Sequence, residues 1–257
     1  MSSLKFDLWK GDCLELMKEI PDGSIDTVLC DLPYGTTQCS WDNVIPFETM
    51  WEQLKRIVKH NGVVALFGAE PFSSKLRCSN LKMFKYDWVW DKSKISGFLN
   101  SKKQPLRSHE MISVFYNKQP TYNPQMTQGK PYDKGIRAPQ TNDDVYGKYK
   151  QSHGKNDSGL RYPRSVQYFR TAESEGGFHK TQKPVALLEY LIKTYTHEGE
   201  TVLDFTAGSF STAIACLNTD RNFIGIELDD NYFDIGVNRI KEHIESNNMN
   251  VDLMVNL

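Results

Sequence analysis

No stretch of this chain approaches the roughly 20 consecutive apolar residues that a membrane-spanning helix needs, and no charged segment leads into an apolar one at its start. Cysteine is scarce and scattered. Cys13, Cys30, Cys39, Cys78 and Cys216 form no C-x-x-C pair and no zinc-ligand spacing, so free thiols in a reducing, cytosolic-type compartment are expected, and no metal site. Charge of one sign is lacking as well: a net charge of −1 over 257 residues does not by itself announce a nucleic-acid or membrane partner. Neither G-x-G-x-x-G nor Gly-Lys-Ser/Thr occurs. That disfavours a ligand held through its diphosphate, and with it an NAD-type oxidoreductase. No internal repeat is present.

What the chain does have is alternation. Over residues 1–116, strand-like and helix-like patterns follow one another, as in βα units around a mostly parallel sheet. Strands are expected at Phe6–Trp9, Asp26–Cys30, Val63–Gly68, Tyr86–Trp90 and Met111–Tyr116. Helices are expected at Cys13–Ile20 and Phe47–Lys59, the second stopped by His60-Asn61-Gly62. The character then changes. Residues 117–180 hold seven glycines, six tyrosines and almost no aliphatic side chains, with eleven Lys/Arg against six Asp/Glu. Such a segment cannot build a core alone. It is either a solvated insertion or a surface whose cations and tyrosines meet phosphates and bases. Order resumes with a helix from Val185 to Lys193, then strand Glu200–Asp204, a small-residue helix Thr212–Cys216, strand Asn222–Glu227 and a helix from Asn231 to about Glu245. The last dozen residues are polar and expected to fray.

Two segments can carry chemistry. Asp31-Leu32-Pro33-Tyr34-Gly35 ends the buried strand Asp26–Cys30. It is either a plain strand-to-turn junction or an acceptor, a carbonyl and a stacking face for a flat, amino-bearing ring. The second segment reads strand, Ala207-Gly208-Ser209 turn, helix, strand, Glu227. In nucleotide-binding βαβ units, small residues in the first turn let the backbone approach the ligand. An acid roughly 20 residues on takes the ribose hydroxyls. A nucleoside without a diphosphate, such as S-adenosylmethionine, suits this turn. The alternative has Glu227 capping a helix and Asp204 serving the turn. Lys183-Pro184 opens a helix beside these groups, as a carboxylate contact or an ordinary helix start, and Asp12 is either a polar contact at the sheet edge or a helix cap.

Together these segments resemble a known family. Asp31-Leu32-Pro33-Tyr34 resembles the Asp-Pro-Pro-Tyr motif of amino-group DNA methyltransferases, Val202–Ser209 resembles their cofactor loop, and His179-Lys180-Thr181-Gln182-Lys183-Pro184 resembles the segment that precedes it. Catalytic motif first, variable basic segment next and cofactor loop last is the order of the permuted β class, which includes phage-borne and restriction-associated members.

The resemblance implies a Rossmann-like, S-adenosylmethionine-dependent fold, with helices on both faces of a mostly parallel sheet. It divides the chain into 1–116 with the catalytic motif, 117–178 as target-recognition region and 179–257 with the cofactor loop. It implies Asp31, Pro33 and Tyr34 as catalytic residues. Asp12, Asp31, Lys183, Asp204, Phe205, Ala207, Gly208, Ser209 and Glu227 would surround the cofactor, with Lys183 near its methionine carboxylate. Lys148, Lys150, Arg161 and Arg164 would contact DNA. The implied partner is double-stranded DNA, with a homodimer as one allowed assembly, in the cytoplasm of a bacterium or phage-infected host. Asp31 at the first motif position favours adenine N6 over cytosine N4. Two positions depart from the family pattern: Leu32 stands for the usual first proline, and Phe210 for a common glycine, which leaves two readings open, an enzyme with an unimpaired cofactor loop or, with that loop narrowed, a DNA-binding module on the same fold that has lost catalysis.

Overall fold

The computed structural model describes residues 3–35, 43–137, 151–175 and 182–256. The chain divides into two compact units, Met1–Asn123 with Ser165–Leu257, and Pro124–Arg164. The first unit begins with β1 (Leu4–Lys10), the one-turn α1 (Cys13–Leu16), β2 (Ile25–Asp31), α2 (Phe47–Ile57), β3 (Val58–Gly68), α3 (Phe72–Ser79), β4 (Phe84–Ser96) and β5 (Arg107–Phe115). The second unit holds two small antiparallel ribbons. β6 (Thr127–Gln128) pairs with β9 (Leu160–Arg161), and β7 (Tyr132–Arg137) pairs with β8 (Ser152–Asn156). The first unit then resumes with β10 (Val166–Phe169), α4 (Val185–Tyr195), β11 (Thr201–Asp204), α5 (Ser211–Asn218), β12 (Asn222–Glu227), α6 (Asp230–Ser246) and β13 (Val251–Asn256).

The nine strands of the first unit form one sheet in the order β10-β4-β5-β3-β2-β11-β12-β1-β13. Every neighbouring pair is parallel except the two made by β5. Alternation sends successive side chains to opposite faces. Leu29, Val63, Ala65 and Phe67 pack under α4, α5 and α6, while Val28, Cys30, Val64 and Leu66 pack under α2 and α3. Both faces are therefore covered, as parallel sheets require. β2 and β11, from opposite ends of the sequence, lie side by side (Val202↔Thr27). From β2 the chain moves out to β3, and from β11 it moves the other way to β12. The carboxyl edge between them is thus a topological switch point, where ligands of such sheets bind.

Several expectations change. The helix expected over Cys13–Ile20 stops at Leu16 and tightens into a 3-10 turn, because Pro21 holds Ile20 extended (φ −73°, ψ 128°). β3 starts at Val58, so His60-Asn61-Gly62 lies within a strand. The chain end does not fray. β13 runs parallel to β1 from Leu4↔Val251 to Trp9↔Asn256, closing an edge whose backbone groups would otherwise stay unpaired. The second compact unit is Pro124–Arg164; β10, which joins β4, and Asn123, which bonds to the end of α4, belong to the first. No helix among the described residues is long and apolar enough to cross a membrane.

Candidate active site

At the carboxyl edge of β2, β11, β12 and β1 the first unit holds a cavity of about 830 Å³, within the range of small-molecule sites. Its walls bring together residues from both ends of the chain, among them Asp12, Asp31, Tyr34, Lys183, Gly208 and Glu227.

On the β11 side, the Asp204 carboxylate ties the following turn together. Oδ2 accepts from the Thr212 hydroxyl at 2.6 Å, and Oδ1 accepts from the Thr206 N–H at 3.2 Å and the Cys30 thiol at 3.1 Å. Burial pushes this carboxyl up to about 6 despite those donors. The Phe205 ring belongs to the core, 1% exposed. Gly208 takes a positive φ of 52°, and its N–H donates to Glu227 Oε2 at 2.7 Å, while Oε1 accepts from the Asp229 N–H at 2.8 Å. Burial raises the Glu227 pKa, offset in part by these two donors. Ala207 and Ser209 complete this wall. Asp12 lines the cavity and also caps α1, accepting from Leu14 N–H at 2.8 Å.

Phe210 corrects an expectation. It has left-handed backbone (φ 58°, ψ 37°) where glycine would be easy. Its ring, 0% exposed, points into the core, edge-on to Phe223 and Phe233 at 6.2 and 5.8 Å between centroids. Gly225 and Gly236 make room for it. A Cβ on Gly225 would stand 2.6 Å from the ring, and one on Gly236 would collide with it. The ring therefore does not narrow the cofactor loop. Leu32 has a similar explanation, its side chain filling the core at 4% exposure.

On the β2 side, Asp31 Oδ1 accepts from the Tyr34 hydroxyl at 2.7 Å, and its backbone carbonyl accepts from Thr206 Oγ1 at 3.0 Å, tying β2 to the β11 turn. The Tyr34 ring lies 5.0 Å from that of Phe72, tilted by 31°. Pro33 lines the cavity. Asp31 Oδ2 is ion-paired with Lys183, whose Nζ also lies 3.4 Å from Glu110 Oε2 and 5.3 Å from the Phe67 ring centroid. Glu110 Oε1 in turn holds Lys92 at 2.9 Å. Four charges thus alternate in sign along the cavity wall: Asp31, Lys183, Glu110, Lys92.

Burial raises Asp31, with Lys183 offsetting part of the shift. Burial also opposes the charge on Lys183, yet Asp31 and Glu110 outweigh it and hold the amine above its usual range. Glu110 is held below the usual carboxylate range because Lys183 and Lys92 exceed its desolvation. Lys183 here meets Asp31 directly. Glu110 and Lys92 were missed because each reads as an incidental charge within a strand; the signal was a charged residue at a strand position that pairing turns inward.

Of the expected DNA contacts, Lys148 and Lys150 lie outside the described residues, as do His179, Lys180, Thr181 and Cys39. Arg161 is engaged inside its own unit, donating to the carbonyls of Gly159 at 2.9 Å and of Lys130, and lying 4.7 Å over the Tyr132 ring. Arg164 is exposed.

A family model for DNA methylases of the N6/N4 type matches residues 25–238. The chain belongs to that family. It is 27% identical over 247 residues to a DNA adenine methyltransferase, YhdJ, of Escherichia coli (strain K12), covering 90% of this chain and 81% of that one. It is 27% identical over 242 residues to the Type II methyltransferase M.HpaI of Haemophilus parainfluenzae, covering 89% and 72%. Among solved structures it resembles M1.HpyAVI in its SAM complex (TM-score 0.63, 21% identity, 91% of this chain and 98% of that one). It also resembles the cytosine-N4-specific PvuII DNA methyltransferase (TM-score 0.68, 15% identity, 95% and 93%). The fold is therefore the Rossmann-like fold of DNA methyltransferases.

Proposed function

We propose that this member of the family transfers a methyl group from S-adenosylmethionine to the N6 amine of an adenine swung out of double-stranded DNA. One observation carries the reading. Asp31 and Tyr34 share a cavity wall with Gly208 and Glu227, although the two pairs lie at opposite ends of the sequence. The second pair suits a nucleoside. Glu227 presents a carboxylate to the cavity beside a glycine turn, and the volume accommodates a ligand of that size. In this reading Glu227 holds the ribose, Ala207, Gly208 and Ser209 line the cofactor, Asp12 lies near its adenine, and Lys183 meets its carboxylate.

S-adenosylmethionine supplies an electrophilic methyl on a sulfonium centre. Everything else falls to the chain's own groups. An aromatic amine is a weak nucleophile because its lone pair is delocalised into the ring. Asp31, accepting from the amine, with the Pro33 segment contributing a carbonyl, localises that pair toward the methyl. Positioning and electrostatics are the main contributions available to such a site. Extruding the base costs a few kcal/mol, and stacking on Tyr34 offsets about 1–3 kcal/mol of it. Burial raises the Asp31 pKa and so makes the carboxylate a stronger acceptor for the amine, and Lys183 offsets part of that rise.

Asp31 at the first motif position and the adenine-specific E. coli relative support adenine as the target, acted on in the cytoplasm of a bacterium or phage-infected host. The Type II relative supports a place in restriction-modification. Digestion of methylated DNA to deoxynucleosides with mass detection tests the target: N6-methyl-2′-deoxyadenosine is expected, and N4-methyl-2′-deoxycytidine in its place would favour the cytosine reading.

A further inference from the structure

The sixteen residues from Lys92 to Arg107 carry five Lys/Arg and no acidic residue, in a chain whose net charge is −1. They form the far half of the β4–β5 hairpin. Regular pairing gives way after Asp91↔His109 and closes at Ser96↔Arg107, leaving Gly97–Leu106 as its tip. The tip is ordered by its own backbone: Asn100 N–H donates to Gly97 at 2.9 Å, Ser101 to Phe98 at 3.1 Å, and Lys103 and Gln104 to Asn100 at 2.8 and 3.0 Å.

That order presents two apolar side chains to solvent. Phe98 is 62% exposed and Leu99 101%. Lys102, Lys103 and Arg107, all exposed, flank them. Lys92 and Lys94 are paired with Glu110 and Glu173, and among the described residues none of the other three forms an ion pair. The hairpin stem is also part of the active site, since Lys94, Ile95 and Ser96 line the cavity that holds Asp31. Phe98 is two residues beyond that rim.

An ordered turn with a bare Phe-Leu pair inside a purely cationic run matches a polyanion with apolar planes in its interior. Proteins that distort duplexes insert such wedges between base steps while cations hold the phosphates. A duplex with one base extruded offers a gap of this kind beside the active site. We propose that the Gly97–Leu106 tip is a duplex-DNA contact, in which Lys102, Lys103 and Arg107 take backbone phosphates and Phe98 and Leu99 enter the base stack next to the extruded base. The proposal rests on the methyltransferase reading above and adds a contact surface to it, separate from Pro124–Arg164.

The test is binding of the full chain to a labelled random-sequence duplex from about 50 to 200 mM salt. Replacing Lys102, Lys103 and Arg107 together by Gln should reduce the slope of log affinity against log salt by about 2–3, each phosphate contact contributing roughly 0.9. Phe98→Ser with Leu99→Ser should keep the slope and weaken binding about tenfold, in the range of lost base stacking. Both variants change exposed residues and should keep the melting temperature and cofactor affinity of the parent. An unchanged slope in the first, or unchanged affinity in the second, overturns the assignment. So does loss of binding to anionic vesicles with DNA binding intact, which would make the tip a membrane contact. A parent chain that binds no duplex at all would instead sink the methyltransferase reading itself.

Discussion

Replacing Phe210 by Gly relieves the left-handed backbone at this position and should nonetheless make this protein less stable. The ring is fully buried between Phe223 and Phe233, and emptying such a site costs about 3–5 kcal/mol. Relief of the left-handed backbone at φ 58° returns only about 1–2 kcal/mol. The net loss is about 1–4 kcal/mol, or roughly 2–16 °C in Tm for a chain of this size. Gly236 supplies the control. In the parent, a Cβ there collides with the Phe210 ring, so Gly236→Ala should destabilise by about 1–3 kcal/mol through overpacking. With Phe210→Gly in place the collision is gone, and the same substitution should stabilise by up to about 1 kcal/mol, the helix preference of Ala over Gly. Urea denaturation of the four proteins gives the coupling, and titration with S-adenosylmethionine gives the affinity, expected to be unchanged. A Phe210→Gly variant as stable as the parent, or one that binds cofactor several-fold more tightly, would take the ring out of the core's stability and return it to the cofactor loop.

Asp204 should leave a pH signature. Its carboxyl is raised to about 6 in the fold, so the folded state holds its proton longer than the unfolded chain. The resulting cost is absent below the unfolded pKa and complete above the folded one. Compared with Asp204→Asn, the parent should lose about 3 kcal/mol of stability between about pH 4 and pH 7; a pH-independent difference would remove Asp204 as the source. Glu110→Gln leaves Lys92 and Lys183 without the carboxylate they share, and should destabilise by about 3 kcal/mol and lower kcat more than it raises KM for the cofactor, because Lys183 then bears only on Asp31. A purely stability-related loss, with kcat intact at low temperature, would confine Glu110 to a structural role. Deleting residues 251–257 uncovers β1 as a sheet edge and should promote aggregation, read by light scattering.

The central strands were legible because parallel strands buried on both faces read as apolar runs, as in Asp26–Cys30 and Val202–Leu203. Their carboxyl ends were legible because Pro33 and Gly208 punctuate them beside Asp31 and Asp204. Adjacency of β2 and β11 was not written in either segment. It came from the order of motifs and is a property of the sheet. Other features were hidden for separate physical reasons. Phe210 gives no sign of its direction, which is set by Gly225 and Gly236 on elements further along the chain. β13 is short and follows the polar run Ser246–Asn250, and its place depends on the open edge of β1. Lys92 and Glu110 become a pair only when β4 and β5 align, and the Phe98-Leu99 tip looks like core until its exposure is known.

Asp31 is proposed as the acceptor that readies the amine, in a site whose cofactor half stands without it. The direct test compares the parent with Asp31→Ala in two assays, methyl transfer from S-adenosylmethionine to unmethylated DNA and calorimetric titration with the same cofactor. Transfer should disappear while cofactor affinity stays within a few-fold of the parent. Substantial turnover in Asp31→Ala, or a parent chain that does not bind the cofactor, would contradict the proposal.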